Sequence, residues 1–313
     1  MRAIVTGGAG FIGGHIVDEL ITRNHEVVVI DNESSPFHDK FYHNPSAEYF
    51  KLNILDEKIG KLFKNIDYVF HLAAESRIQP TIENPCLAAA TNYLGTCKIL
   101  KLSYENGIKR VLYSSTSSAY GLLPAPHTEN LKVDCLNPYS YTKVAGEQLC
   151  KMYHKMFGLS TIIFRYFNVY GPREPVKGQY APVVGRFLKQ YRSGKKMTVV
   201  NPGTQSRDYV HVSDIVKANM LASECTNKGA FGQVFNIGTG KSWSVLGLAR
   251  LIAADSLIDE ESIEEHIEWL PERQGEAEET LAHTYKSECY LNFKAEKKLE
   301  DYIKEELTKQ PSI

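Results

Sequence analysis

An α/β protein with a doubly wound parallel sheet and a smaller C-terminal lobe is the fold class this sequence predicts. Three observations lead there. Short apolar, β-branched runs alternate with helical segments over the first half of the chain. A glycine-rich turn joins the first such run to the first helix, and the alternation breaks after "YGPREP" (170–175), where Gly and Pro become denser. Strands that alternate with helices imply βαβ units, since parallel neighbours need a long crossover between them.

The elements follow in order. "RAIVTG" (2–7) reads as a strand, "FIGGHIVDELITRN" (11–24) as a helix and "HEVVVIDN" (25–32) as the second strand. "IDYVFHLAA" (66–74), "KRVLYSSTS" (109–117) and "STIIFRYFNV" (160–169) supply further strands, with helices around 91–106 and 139–157. Asn137 can cap the second of these helices and Pro138 suits its first turn. "QVFNIGTG" (233–240) reads as one more strand returning to the sheet, and "SVLGLARLIAA" (244–254) as a later helix. "GTGKS" (238–242) has the look of an ATP-binding loop, but Phe235 stands where that loop needs glycine, so a strand-to-helix turn with Ser244 as N-cap is expected. Residues 258–279 read as acidic and irregular, with "WLPERQGE" (269–276) as a loop. The predicted division is a nucleotide-binding domain of residues 1–171 with about 205–240, and a substrate-binding lobe of 172–204 with 241–313.

Composition narrows the function. A length of 313 residues suits two domains or one large one, and 43% hydrophobic residues can fill their core. The formal net charge of −1 argues against a dedicated partner of nucleic acid or anionic membrane, while leaving room for a local basic patch. Six scattered cysteines without a Cys-x-x-Cys pair suggest neither a metal site nor a disulfide framework, so a cytoplasmic protein is expected. No apolar run is long enough to span a bilayer, and the first strand begins at once, so neither membrane segment nor leader is expected.

The glycine turn carries the first chemical signal. In "TGGAGFIG" (6–13), Gly7, Gly10 and Gly13 surround Phe11 and Ile12 where strand passes to helix. Such a turn lets the backbone approach a pyrophosphate, which then rests on the helix N-terminus. Asp31 ends the second strand 18 residues beyond Gly13, the place of an acidic ligand to an adenosine ribose. A Rossmann-type dinucleotide site follows, and because Asp31 would repel a 2′-phosphate the expected cofactor is NAD.

The second signal is a tyrosine four residues before a lysine. Three such pairs occur: Tyr139 with Lys143, Tyr191 with Lys195, and Tyr290 with Lys294. Spacing alone therefore decides nothing. Gly194 interrupts the second pair and the third lies in the C-terminal lobe, whereas Tyr139 and Lys143 share a helix face in the nucleotide-binding half. A neighbouring ammonium and oxidised nicotinamide would lower the tyrosine's pKa from its usual value near 10, giving a phenolate that takes a hydroxyl proton while hydride leaves the same carbon.

With these residues in place the chain resembles an extended short-chain dehydrogenase/reductase of the nucleotide-sugar epimerase/dehydratase family. The shared signatures are "HLAA" (71–74), "NYLGT" (92–96), "SSTSSAYG" (114–121), "RYFNVYGPR" (165–173), "SRDYVHVSD" (206–214) and "FNIGTG" (235–240), which span nearly the whole chain. The resemblance implies that Thr116 hydrogen-bonds the reacting sugar hydroxyl. It further implies adenosine-ribose ligands at Asp31 and Asn32, adenine contacts at Asn53 and Ile54, and a cofactor wall at Leu72, Ala73 and Ala74. Asn53 departs from the family's usual aspartate. Asn92 packs beneath the site, Ser114 lies at the strand end beside the cofactor, and Tyr166 precedes the strand end near nicotinamide. Asn168, Arg207 and Arg273 match ligands of a sugar-nucleotide diphosphate and uridine ribose, a task suited to arginine's charge-assisted bonds. Arg77 and Gln79 face the expected cleft without an assigned role. Family members commonly pair through two helices, so a homodimer built on 91–106 and 139–157 is expected.

The two residues after Thr116 select the reaction. The 4,6-dehydratases carry Asp-Glu there and the decarboxylases a glutamate at the second position; here Ser117 and Ser118 supply no carboxylate for acid–base work. What remains is oxidation at C4, turnover of the keto sugar and return of hydride to its other face. "RYFNVYGPREPVKGQYAPVV" (165–184) further resembles the UDP-N-acetylglucosamine 4-epimerases, so N-acetylhexosamines are the expected substrates, with UDP-glucose alongside. Thr280, seven residues after Arg273, matches a gatekeeper whose small side chain leaves room for an acetamido group. Two alternatives stand: a UDP-glucuronate 4-epimerase, and a non-catalytic NAD-binding sensor on the same fold.

Overall fold

A computed structural model describes residues 1–38, 40–177, 181–253, 262–272 and 277–309. The chain runs β1 (Arg2–Thr6), α1 (Phe11–Thr22), β2 (Glu26–Asp31), β3 (Glu48–Lys51), β4 (Tyr68–His71), α2 (Ile78–Glu83), α3 (Pro85–Ala88), α4 (Thr96–Glu105), β5 (Arg110–Thr116), α5 (Pro138–Phe157) and β6 (Thr161–Tyr166). It continues through β7 (Asn168–Tyr170), α6 (Val183–Arg192), β8 (Met197–Val200), β9 (Ser206–His211), α7 (Val212–Glu224) and β10 (Gln233–Ile237). The last elements are β11 (Ser242–Ser244), α8 (Val245–Ala253), β12 (Ile267–Leu270), β13 (Glu279–Thr280), α9 (Tyr285–Leu291) and α10 (Leu299–Thr308).

Seven strands form one parallel sheet in the order β10-β6-β5-β4-β1-β2-β3. Every residue of β5 and β6 is buried, as a strand covered on both faces requires. Alternate residues feed opposite layers: Ala3 and Val5 pack with Ile16 and Leu20 of α1 and Ile215 of α7, while Ile4 packs with Ile99 of α4 and Leu149 of α5. From β1 the chain moves outward to β2 and β3, then returns to place β4 on the other side of β1. That reversal opens a crevice at the carboxyl ends of β1 and β4.

The helix carrying Tyr139 is fixed at both ends. Asn137 Oδ1 accepts from the Ser140 N–H at 2.9 Å, Pro138 fills the first turn, and Gly158 closes the helix in the left-handed conformation with its N–H on the His154 carbonyl. The second lobe has its own core, in which Tyr170, Phe187, Val199, Leu248, Ile267 and Ile303 meet. β9 anchors it, pairing with β7 along one half and with β11 and β13 along the other.

Two expectations need correction. Residues 258–279 are not uniformly irregular: Ile267–Leu270 pairs in parallel with β8 and Glu279–Thr280 pairs with β9. The turn at 238–242 leads first into β11 rather than straight into a helix, although the Ser244 hydroxyl does accept from the Gly247 N–H at 2.9 Å. Ala282, Leu291 and Phe293 pack in the core beneath the large sheet, and α9 lies against β10.

Candidate active site

A cleft of about 640 Å³ lies over the carboxyl ends of the large sheet and reaches to the second lobe. The glycine turn forms one wall. Gly7 has φ +73°, and a Cβ there would meet the Ala73 nitrogen at 2.8 Å, so turn and opposite wall touch backbone to backbone. A Cβ on Gly13 would lie 2.1 Å from the Gly7 carbonyl oxygen. Gly10 caps α1 with no side-chain bond, leaving the first-turn N–H groups near Phe11 and Ile12 for a ligand. The Asp31 carboxylate accepts from the Ala9 N–H at 3.0 Å and the Glu33 N–H at 2.8 Å, which holds it at the cleft edge beside Asn32. A glycine cradle without room for side chains, an uncapped helix start and a fixed carboxylate fit a dinucleotide such as NAD.

The wall opposite is held from below. His71 is buried between Thr6, whose hydroxyl lies 2.7 Å from Nδ1, and Thr96, 2.9 Å from Nε2. Burial, and then the Lys143 charge, pushes its pKa down to about 3, so the ring is neutral. Because the Thr96 hydroxyl donates to the Asn92 carbonyl, its oxygen accepts from Nε2–H and Nδ1 accepts from Thr6. The Thr6 oxygen in turn accepts from the N–H groups of Leu72 and Ala73, both at 3.2 Å, fixing the strand end that leads to Ala74. Asn53 and Ile54 close this end of the cleft, with the Asn53 amide oxygen accepting from the Leu55 N–H. Asn92 stands behind the wall and does not line the cleft. Its side chain bonds both backbone groups of Glu75 and the Thr142 hydroxyl.

At the far end Thr116, Tyr139 and Lys143 line the cleft together. The Thr116 hydroxyl accepts from the Ser118 N–H at 3.1 Å, which fixes it at the end of β5. Tyr141 is 68% exposed and points away, so only the tyrosine one turn before Lys143 reaches the site. Tyr191 packs near His266 in the second lobe and Tyr290 is partly exposed on α9, so neither competes. The electrostatics differ from expectation. Burial raises the Tyr139 pKa, and Thr116 and the charge of Arg77 oppose it. Lys143 is buried with its Nζ 4.3 Å from the centre of the Tyr113 ring, and burial lowers its own pKa to about 8 against the pull of Cys150 and Glu147. Ser114 donates to the Tyr166 phenol at 3.1 Å, and Asn219 donates to the same oxygen at 2.8 Å, so the two predicted cofactor neighbours are locked to one another.

Beneath Thr116, Ser115 donates to Glu147 at 2.6 Å, and Glu147 makes a two-pronged ion pair with Arg165 at 2.7 and 2.9 Å. No local motif announced this buried pair: the sheet register sets Ser115 beside Arg165, and the packing of α5 on β5 and β6 brings Glu147 to both.

On the second-lobe side the cleft is lined by Asn168, Arg186, Gln205 and Arg207. Arg207 donates to the Ser206 and Ala277 carbonyls, which orients its guanidinium. Thr280 stands opposite Arg207 in the strand register and its hydroxyl accepts from Asn168 at 3.2 Å, but it is not part of the cleft wall. Arg273 lies outside the described residues. Arg77, Gln79 and Glu174 also line the cleft. Glu174 was not foreseen: it is buried, and burial pushes its pKa up to about 8.

The model of the NAD dependent epimerase/dehydratase family matches residues 3–238. The chain is 38% identical over 255 residues to a putative UDP-glucose 4-epimerase of Methanocaldococcus jannaschii, covering 80% of each chain. It superposes on the UDP-glucose 4-epimerase of Thermotoga maritima, solved with UDP-glucose, with a TM-score of 0.89, 33% identity and coverage of 97% and 96%. The UDP-N-acetylglucosamine 4-epimerase of Methanobrevibacter ruminantium, in complex with UDP-N-acetylmuramic acid, gives a TM-score of 0.89 at 32% identity, with 98% and 96% covered.

Proposed function

Since this chain belongs to the NAD dependent epimerase/dehydratase family and is an NAD-dependent UDP-sugar epimerase, we propose that its substrates are UDP-N-acetylglucosamine and UDP-N-acetylgalactosamine, with UDP-glucose and UDP-galactose alongside. One observation carries the reaction type: Thr116, Tyr139 and Lys143 line the cleft together, and the residues that follow Thr116 are Ser117 and Ser118. Thr116 holds the C4 hydroxyl, and Tyr139 as a phenolate takes its proton. When bound, NAD supplies the acceptor for the C4 hydride and then the hydride that reduces the ketone from its other face. Neither serine can act as the strong acid or base that dehydration needs, so the keto sugar turns over and Tyr139 returns the proton. Gly7, Gly10 and Gly13 cradle the cofactor diphosphate and Asp31 its ribose, while Arg207 and Asn168 hold the sugar-nucleotide diphosphate.

A second reading, a UDP-hexuronate, is favoured by Arg77, whose guanidinium a neutral sugar would not require at this end of the cleft. The test is incubation with a panel of UDP-sugars, without added NAD, followed by product separation. Interconversion of the two N-acetylhexosamines supports the assignment. Turnover of UDP-glucuronate alone gives the second reading, and turnover of none, with NAD bound, gives the sensor.

We also infer a homodimer through α4 and α5, for reasons of surface given in the Discussion. Among the described residues no helix is long and apolar enough to cross a membrane.

A further inference from the structure

The stretch between β2 and β3 supplies one wall at the glycine-turn end of the cleft. Ser34, Ser35, His38 and Phe41 line it, and a Cβ on Gly10 would lie 3.8 Å from His38 Nε2, so the stretch runs close to the turn. Among its described residues there is neither helix nor strand, and contacts with other elements must hold it. At its near end Glu33 pairs with Lys51 of β3 at 2.8 Å. At its far end the Tyr42 N–H donates to the Ala9 carbonyl at 3.1 Å, and Asn44 Nδ2 donates to the Asp18 carboxylate of α1 at 2.7 Å.

Arg173 reaches this far end from another part of the chain. It stands just past β7, where the chain leaves for the second lobe, in a left-handed conformation with φ +67° that few residues bearing a side chain adopt. Two contacts set the turn: the Glu174 N–H donates to the Gly171 carbonyl at 3.2 Å, and the His15 ring of α1 donates to the Pro172 carbonyl at 2.9 Å. Arg173 Nη1 then meets the Asp18 carboxylate at 2.7 Å, and its guanidinium lies 4.8 Å over the Tyr42 ring. Gly14 leaves the space, since a Cβ there would be 3.4 Å from Arg173 Nη1 and 3.9 Å from Tyr42 Cβ. One side chain thus joins α1, the stretch after β2 and the crossing to the second lobe.

We propose that Arg173 is a positioning residue for NAD: by bridging Asp18 and Tyr42 it holds residues 33–44 at the cofactor end of the cleft and slows release of the cofactor. This rests on the cofactor site proposed above. Hydride that leaves C4 returns to the same sugar, so nothing in the reaction requires NAD to depart, and a latch serves its retention. A half-exposed ion pair contributes little by itself. Here the carboxylate is shared with Asn44 and the planar guanidinium rests on an aromatic face, so loss of Arg173 loosens both anchors at once. Lys40 also stands over Tyr42, 5.1 Å from the ring centre, but it belongs to the same stretch and cannot tie it to α1.

The experiment loads the protein with radiolabelled NAD, chases it with unlabelled NAD and follows the label that stays bound. Arg173→Gln should release NAD about tenfold faster than the wild type. Arg173→Lys, which keeps the charge and loses the planar face, should fall between them. Asp18→Asn should also speed release, and the double variant with Arg173→Gln should match Arg173→Gln alone, because both changes remove one contact. Lys217→Gln, which breaks a surface ion pair with Glu296 elsewhere, should leave the rate unchanged. Hydrogen exchange of the NAD-loaded Arg173→Gln protein should quicken at residues 40–44 and stay as it was in α5. An unchanged release rate in Arg173→Gln overturns the proposal, and so do additive effects of the two changes or exchange that quickens throughout the chain. A wild-type protein that binds no NAD overturns the cofactor site itself and this proposal with it, an outcome distinct from NAD that binds and leaves all variants at one rate.

Discussion

Glu174 is buried where a carboxylate charge is poorly accommodated. Its Oε2 accepts weakly from the Gly171 N–H at 3.4 Å, Oε1 has no hydrogen-bond partner among the described residues, and burial lifts the pKa to about 8. The folded-state value lies above the unfolded one, so the stabilising contribution is complete below about pH 4.5 and is lost as pH rises through about 8. Glu174→Gln should therefore match the wild type in melting temperature near pH 4 and exceed it progressively towards pH 8, by up to a few kcal/mol. Thermal melts across that range check this; a gain independent of pH would show that the charge is not the cause. Glu174 was hard to read from sequence because its significance lies in burial by distant elements. Tyr139 was legible because its cap, its spacing and its helix are all local. Thr280 shows the limit of counting: it reaches the Asn168 side chain but not the cleft wall, and Arg273, from which it was counted, lies outside the described residues.

At the scale of elements the glycine turn makes the strictest demand. A Cβ on Gly13 would press on the Gly7 carbonyl, which is backbone and can move only by opening the turn. Gly13→Ala should therefore release the cofactor, with at least a tenfold weaker NAD affinity, and lower the melting temperature by several degrees. Gly60→Ala is the control, since its added methyl would meet only the end of Leu102 at an ordinary 3.6 Å. Calorimetric NAD titration of both proteins decides the matter, and equal affinities would remove the turn from the binding site. The strands of the large sheet were legible because full burial writes them as continuous apolar runs. β12 was not, because "IEWL" is brief and lies close to an acidic stretch, and it becomes a strand only when β8 offers a partner. β13, at two residues, carries no periodicity of its own.

For the whole molecule the strand–helix alternation was enough to imply the parallel sheet. What the alternation does not explain is the surface of α4 and α5. The start of α5 lies against the residues before α4, where Asn92 bonds Thr142, and Tyr104 and Phe157 bring their rings within 5.1 Å at the other end. Along this paired face Tyr93, Leu94, Tyr104, Tyr141, Met156 and Phe157 are exposed, Met156 to 67%. In the homodimer inferred above, a twofold axis through α4, the residues before it and α5 would bury these side chains in a four-helix bundle. Sedimentation equilibrium should give twice the chain mass of 35.3 kDa for the wild type. Leu94→Glu combined with Met156→Glu should give the single-chain mass with a native circular-dichroism spectrum, because both side chains already face outward in one chain. A wild-type protein that sediments at the single-chain mass, or a double variant that stays paired, would place the contact elsewhere or remove it.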